Sequence, residues 1–458
     1  MVGRGLGFAL NLLLSRSLGP ENLGLFSLIL TTTQTVELTV RGGVDYGITC
    51  ALTGPGAALA AERQGEIAHT ALRVVQLATA VVVLSLWLWV MPGGGLLPRS
   101  LPLERGTLVL ALVVISSLET LSALQWDLLL VKGRTAALAL RQGVFAPGKL
   151  LAASLGALVG GIGGALVGFA VVVAVQGSWL RQRCRRLLPW PSQSHFELAI
   201  AVDLVRQGIP LYATNLMASL VFLPLLAGVA RDQGLAEVGF LRVGQIVVQL
   251  FTLLPGALVP VLFVRLRESE HLHEQTRGIE RSLRLLWWSG LVCLVLYLLL
   301  DRWVVPLFFG AAFLPSLQAT RVLVLAAVAE SLSQVLHQPL LASRRTGLFL
   351  LTQNGAALLA AGAGALLIPR LGVGGFLVAK LVFALVPLLT YFAVAQNGFN
   401  AAAPLWRHLV LTLALLPLCW LPDQGNNAYA AWEPMALLVA LGLLAIDGWP
   451  LRRWVGSS

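Results

Sequence analysis

Charge is scarce in this chain of 458 residues: 12% are Asp, Glu, Lys or Arg, against roughly 25% in a soluble globular domain. With 57% of residues hydrophobic, too few polar side chains remain to clothe a water-exposed surface of this size, which excludes the soluble enzyme classes. Cysteine is scarce as well. Cys50, Cys184, Cys293 and Cys419 stand far apart without CxxC spacing, so neither a disulfide framework nor a zinc site is expected. Zinc-ligand motifs, a Walker A loop and a nucleophile elbow are all missing, so no catalytic residue, metal ligand or cofactor is assigned. His271 and His273 lie among Glu268, Glu270 and Glu274, where a solvated charged loop is the simpler reading than a metal site. No cleavable signal peptide is expected, because the first apolar stretch runs into the next without a small-residue cleavage site.

What the chain has in quantity is long apolar runs. A helix crossing ~30 Å of hydrocarbon needs about 20 mostly apolar residues, and runs of that kind fall near 2–18, 23–46, 70–91, 106–130, 135–157, 162–180, 206–230, 238–264, 284–309, 313–342, 346–368, 371–396, 404–422 and 433–450. Stretches such as 81–90 and 291–300 do not alternate apolar with polar, which argues against a β-barrel. The expected fold is therefore all-α and integral to the membrane, with about 14 transmembrane helices.

The 32 Lys and Arg outnumber the 21 Asp and Glu. They lie between the apolar runs instead of forming one patch, so no nucleic-acid partner is expected. Placing the amino terminus in the cytoplasm puts about 21 basic residues inside, about 7 outside and about 4 within spans. The heaviest contributors are Arg181, Arg183, Arg185 and Arg186, and Arg265, Arg267, Arg277, Arg281 and Arg284. An even span count brings both termini to the cytoplasmic side.

Compared with itself, the chain shows a repeat. Residues 119–135, ETLSALQWDLLLVKGRT, match residues 330–346, ESLSQVLHQPLLASRRT, at an offset of 211. The same offset sets Arg134 on Arg345, Gln142 on Gln353, and Gly161-Ile162-Gly163-Gly164 on Gly372-Val373-Gly374-Gly375. A division follows into residues 1–180, a six-helix half; 181–205, a basic cytoplasmic linker; 206–396, a second six-helix half; and 397–458, two additional helices. Both halves begin on the same membrane side, so the repeat is parallel, and such halves commonly enclose a cavity opened alternately to each face.

Three segments carry a family likeness: Arg16-Ser17-Leu18-Gly19-Pro20, Leu23-Gly24-Leu25-Phe26, and Ile368-Pro369-Arg370-Leu371-Gly372-Val373-Gly374-Gly375. With Gly3–Leu30 as a whole, they resemble the Wzx-like O-antigen and polysaccharide flippases of the multidrug/oligosaccharidyl-lipid/polysaccharide (MOP) exporter superfamily. Arg4-Gly5-Leu6-Gly7-Phe8-Ala9 is also similar to the first helix of MurJ-type lipid II flippases, which implies a place for Arg4 in a basic cavity. The resemblance implies flipping of a polyprenyl-diphosphate-linked oligosaccharide from the cytoplasmic to the outer leaflet of the inner membrane. It also implies glycosyltransferase and polysaccharide-polymerase partners. Family members carry several residues before this arginine, so Met1 is expected to lie downstream of the true start.

Ionisable side chains at mid-bilayer are costly and are functional candidates. Arg141 and Lys149 lie eight residues apart with Pro147 between them, about 80° around a regular helix. Lys380 is the basic candidate of the second half. All three are candidates to grip a diphosphate, with snorkelling to the membrane surface as the alternative. Glu119 and Glu330 share a repeat position, each followed three residues later by Ser122 or Ser333, and His337 extends the second stripe. Their readings are proton coupling or a structural carboxyl cementing helices. Glu37, Arg41 and Asp45 form a stripe at i, i+4 and i+8, read either as intrahelical pairing or as a gate admitting substrate. Two other functions remain open: multidrug or small-molecule export on the same scaffold, and a membrane glycan polymerase or glycosyltransferase. The latter would need a catalytic loop with paired carboxylates, and none is evident.

Overall fold

The computed structural model describes residues 2–52, 61–90, 104–131, 135–187, 196–256, 258, 259, 262, 272–342 and 346–399. The expected spans 404–422 and 433–450, the loop after 91, His271, His273, Arg134 and Arg345 lie outside them, as does the side chain of Arg4. The described residues are helical, without strands. In chain order they form α1 (Val2–Arg41), α2 (Val44–Leu52), α3 (Ala61–Val90), α4 (Arg105–Val131), α5 (Thr135–Leu140), a π-helical turn (Arg141–Phe145) and α6 (Ala146–Leu187). Then come α7 (Leu198–Gln233), α8 (Leu235–Phe251), α9 (Leu272–Phe308), a short 3-10 turn (Ala311–Phe313), α10 (Ser316–Leu336), α11 (Gln338–Ala342), α12 (Thr346–Leu371) and α13 (Val373–Phe399).

Among the described residues, nine segments are long and apolar enough to cross a membrane. The chain is a multi-pass membrane protein. Two of the nine are doubled back. In α6 the backbone leaves helical geometry at Gly160 and Gly161, and beyond that break the arms touch: a Cβ on Gly156 would sit 2.1 Å from the Gly164 carbonyl oxygen, and one on Gly168 2.2 Å from that of Ala152. Along a straight helix Ala152 and Gly168 would be about 24 Å apart. The absence of side chains at 156 and 164 is what lets the arms close.

The same reasoning resolves α1, which breaks at Gly19 before Pro20. Ser154 Oγ, which donates to the Leu150 carbonyl at 2.8 Å, lies 3.5 Å from the Leu10 carbonyl oxygen, and Phe26 stacks edge-on against Phe169 at 6.0 Å. Because 152 faces 168 across the α6 hairpin, Leu10 and Phe26 lie at neighbouring heights, so α1 is a hairpin too.

The repeat register has a backbone counterpart. Gly161 and Gly372, which it superposes, have φ of 57° and 56°, a left-handed conformation that side-chain-bearing residues adopt at a cost. Gly164 and Gly375 also correspond, and a Cβ on Gly375 would lie 2.5 Å from the backbone of Leu367, the residue that corresponds to Gly156.

The chain divides into two compact units, Met1–Arg242 with Gln353–Phe376, and Val243–Thr352 with Leu377–Ser458. In the first, a core of Val36, Val40, Ile48, Val75, Leu124, Trp126 and Leu180 ties α1, α2, α3, α4 and α6 together. In the second, α10 is buried along nearly its whole length, Thr320, Arg321, Ser331 and Ser333 included. Outward faces are apolar as well: Val159 is 93% exposed, and Leu158, Val167, Val171 and Val175 are exposed too, which lipid tolerates and water does not.

Candidate functional site

Polar chemistry in the first unit starts from the end of α1. Gly42 and Gly43, with φ of 50° and 86°, end α1 and let α2 begin at Val44, so the stripe Glu37, Arg41, Asp45 spans a break and is not one helix face. Gly43 also meets Gly208 of α7 backbone to backbone. Across this turn the Arg41 guanidinium reaches three carboxylates. Nη1 donates to Glu37 Oε1 at 2.8 Å, and Nη2 donates to Asp45 Oδ2 and Asp127 Oδ2, each at 2.5 Å. The Arg41 side chain is 10% exposed. The Tyr212 hydroxyl, from α7, donates to the Leu38 carbonyl and pins the same end of α1.

Asp127 was not among the sequence candidates. It stands near the end of its span, where an acidic residue reads as a terminus marker, and only its place within the repeated segment, opposite Gln338, set it apart.

A second cluster adjoins the first. Lys149 Nζ, on the first arm of α6, donates to Glu119 Oε1 of α4 at 2.5 Å, and the same ammonium lies 5.8 Å from the Phe169 ring centroid on the second arm. Both side chains of the pair retain about one-seventh exposure, 14% and 15%. Arg141 is half-buried and lies within electrostatic reach of Glu37 and Asp127, while Glu37 also senses Glu119. Glu37, Asp45, Glu119 and Asp127 therefore share one neighbourhood with Arg41, Arg141 and Lys149, four carboxylates to three cations.

The π-helical turn explains how Arg141 and Lys149 both face it. A π turn, roughly 4.4 residues per turn, lags α-helical rotation by about 90° over five residues. That offsets the 80° separation of a regular helix and brings both side chains to one face. The irregularity lies in this turn, immediately before buried Pro147.

The second unit is arranged differently. Glu330 of α10 and Lys380 of α13 interact electrostatically, and Lys380 Nζ lies 5.8 Å from the Phe383 ring centroid. His337 packs against the rings of Phe349 at 4.9 Å and Tyr391 at 5.6 Å between centroids, so it sits in an aromatic setting beyond the Glu330 stripe. Asp301 of α9 accepts from Arg321 Nε of α10 at 2.5 Å, with side-chain exposures of 1% and 8%. Asp301 escaped the sequence reading because nothing in spacing along the chain joins it to Arg321.

Among the described residues no group of three or more His, Cys, Asp and Glu is arranged to hold a metal ion. Chemically, the first-unit network is a set of ion pairs in which one guanidinium serves three carboxylates and one ammonium a fourth.

Comparison with family models gives no match, and neither does comparison with curated protein sequences. Solved structures do match. The chain is similar to the inward closed conformation of lipid II flippase MurJ, with a TM-score of 0.70 and 12% identity, covering 97% of this chain and 96% of that one. It is similar to the inward-facing conformation of a multidrug resistance MATE family transporter of the MOP superfamily, with a TM-score of 0.61 and 14% identity over 87% of this chain and 95% of that one. A MOP superfamily transporter from Pyrococcus furiosus, described as having a binding pocket of reverse polarity, matches at a TM-score of 0.57 and 13% identity over 88% and 94% of the two chains. At these identities the likeness is one of fold: the chain has the helical fold of MOP superfamily transporters and flippases.

Proposed function

We propose that the chain is a flippase that moves a polyprenyl-diphosphate-linked oligosaccharide, a polysaccharide repeat unit, from the cytoplasmic to the outer leaflet by alternating access. The observation that carries this reading is the nearly end-to-end fold likeness to a lipid II flippase, on a chain with Arg141 and Lys149 turned to one face within its membrane-spanning helices. A diphosphate entering hydrocarbon loses its hydration, and guanidinium and ammonium donors offset that loss, Arg as a fork and Lys as a point charge. Lys380 and Arg4 are proposed as further contacts. Glu119, Glu330 and His337 are proposed as cavity polar groups, and the Arg41 cluster with Glu37 and Asp45 as a gate. The proposed architecture is fourteen spans in two parallel six-helix halves, 1–180 and 206–396, joined by linker 181–205 and followed by two helices in 397–458. The proposed location is the inner membrane with both termini cytoplasmic, and polysaccharide polymerase and glycosyltransferases are the proposed partners.

One observation favours a second reading, export of small cations. Four carboxylates to three cations is a slightly acidic neighbourhood, and MATE transporters share the fold. Deletion of the gene separates the two. Accumulation of complete lipid-linked repeat units, with loss of surface polysaccharide, supports the flippase. Unchanged pools with impaired efflux of cationic dyes support the exporter.

A further inference from the structure

Extended along the chain, the repeat register shows that the cation beside the repeated carboxylate has changed helix. Position 149 corresponds to Ala360, and Lys380 corresponds to Phe169. In the first unit Glu119 is therefore neutralised by Lys149, whose ammonium hovers over Phe169. In the second unit Glu330 interacts with a lysine at the position Phe169 holds in the first. Each copy sets a lysine within electrostatic reach of the repeated carboxylate, although the lysine comes from a different element. A lysine kept only to line a basic cavity would not need to follow the carboxylate, and a carboxylate kept only for proton transfer would not need the lysine.

We infer that Glu119 and Glu330 are resident counter-ions of two phosphate sites, at Lys149 and Lys380. This rests on the reading of an anionic lipid-linked substrate and makes it specific. A bare ammonium in a membrane-spanning helix is costly, and so is leaving one member of a buried pair alone. In the empty state each carboxylate offsets the charge of its lysine. An arriving phosphate takes over the ammonium and displaces the carboxylate, and the carboxylate returns as the phosphate leaves. The partial exposure of both Glu119 and Lys149 gives the incoming oxygen access. The counter-ion limits how tightly phosphate binds and so permits release, which is the requirement on a carrier as opposed to a receptor.

The test is equilibrium binding to the full chain in lipid nanodiscs, with undecaprenyl diphosphate as probe and uncharged undecaprenol as control. Glu119→Gln removes the competitor and is expected to bind the diphosphate about tenfold tighter, whereas Lys149→Ala binds it about tenfold more weakly, and neither changes undecaprenol binding. The double variant Lys149→Ala/Phe169→Lys returns an ammonium to the neighbourhood of Glu119 from the helix that the second copy uses. It is expected to recover most of the loss, and because it keeps the pair it serves even where Glu119→Gln does not fold. A folded Glu119→Gln that binds no tighter, or a relocated lysine that binds no better than Lys149→Ala, overturns the counter-ion role while leaving the flippase reading standing. Wild type that does not prefer the diphosphate to undecaprenol overturns both.

Discussion

Glu119 and Glu330 hold the same place in the repeat, but their surroundings differ. Eight residues beyond Glu119 on α4, Asp127 reaches Arg41 and joins a network with Glu37, Asp45, Arg141 and Lys149. Eight residues beyond Glu330 stands Gln338, whose Nε2 donates to the Gln334 carbonyl, and the neighbouring position is His337 among aromatic rings where the first copy has Trp126. The second unit has a buried pair, Asp301 with Arg321, exposed by 1% and 8%, with Arg302 and Tyr297 beside it. The repeated helix thus belongs to a partly exposed network of several carboxylates and cations in one unit and carries one member of a more deeply buried ion pair in the other.

This contrast breaks first at Arg41. Arg41→Leu leaves Glu37, Asp45 and Asp127 without their shared cation and is expected to cost about 3–5 kcal/mol, read as a lowered melting temperature in detergent and lost transport. Paired replacements sharpen the contrast. Asp301→Leu with Arg321→Leu removes both members of a buried pair and should leave transport within about twofold of wild type, because apolar groups replace such pairs at little net cost. Glu119→Leu with Lys149→Leu should fold comparably and reduce transport by about tenfold or more. Smaller effects test the shared scaffold: Gly164→Ala and Gly375→Ala, at matching close approaches, should each cost about 1–3 kcal/mol by overpacking. The smallest expected change is a gain. Gly362→Ala, on α12 where a Cβ meets nothing within 4 Å, should stabilise by about 0.5–1 kcal/mol.

The sequence makes some of this legible and hides the rest for a definite reason. Apolar runs mark the helices, and the repeat marks Glu119 and Glu330, because both signals are local or periodic. Spacing of four residues announces Glu37 with Arg41. Spacing says nothing about rotation between helices, so Arg41 with Asp127, 86 residues away, and Lys149 with Glu119, 30 residues away, become visible only in three dimensions. The π turn at Arg141–Phe145 is a further case. It turns two cations onto one face, yet its sequence, RQGVF, has no periodic signature. The doubled-back helices fall between these extremes, since Gly160-Gly161 and Gly19-Pro20 are visible breaks whose reversal shows in the contacts between the arms of α6 and from α6 to both arms of α1.

The most direct measurement reconstitutes the full chain in vesicles carrying a fluorescent polyprenyl-diphosphate oligosaccharide in one leaflet and follows its accessibility to a membrane-impermeant quencher. The wild-type chain is expected to equilibrate the lipid between leaflets faster than protein-free vesicles do, and Lys149→Ala to slow this. Equilibration no faster than in protein-free vesicles, from a folded chain that transports cationic dyes under the same conditions, would contradict the flippase reading.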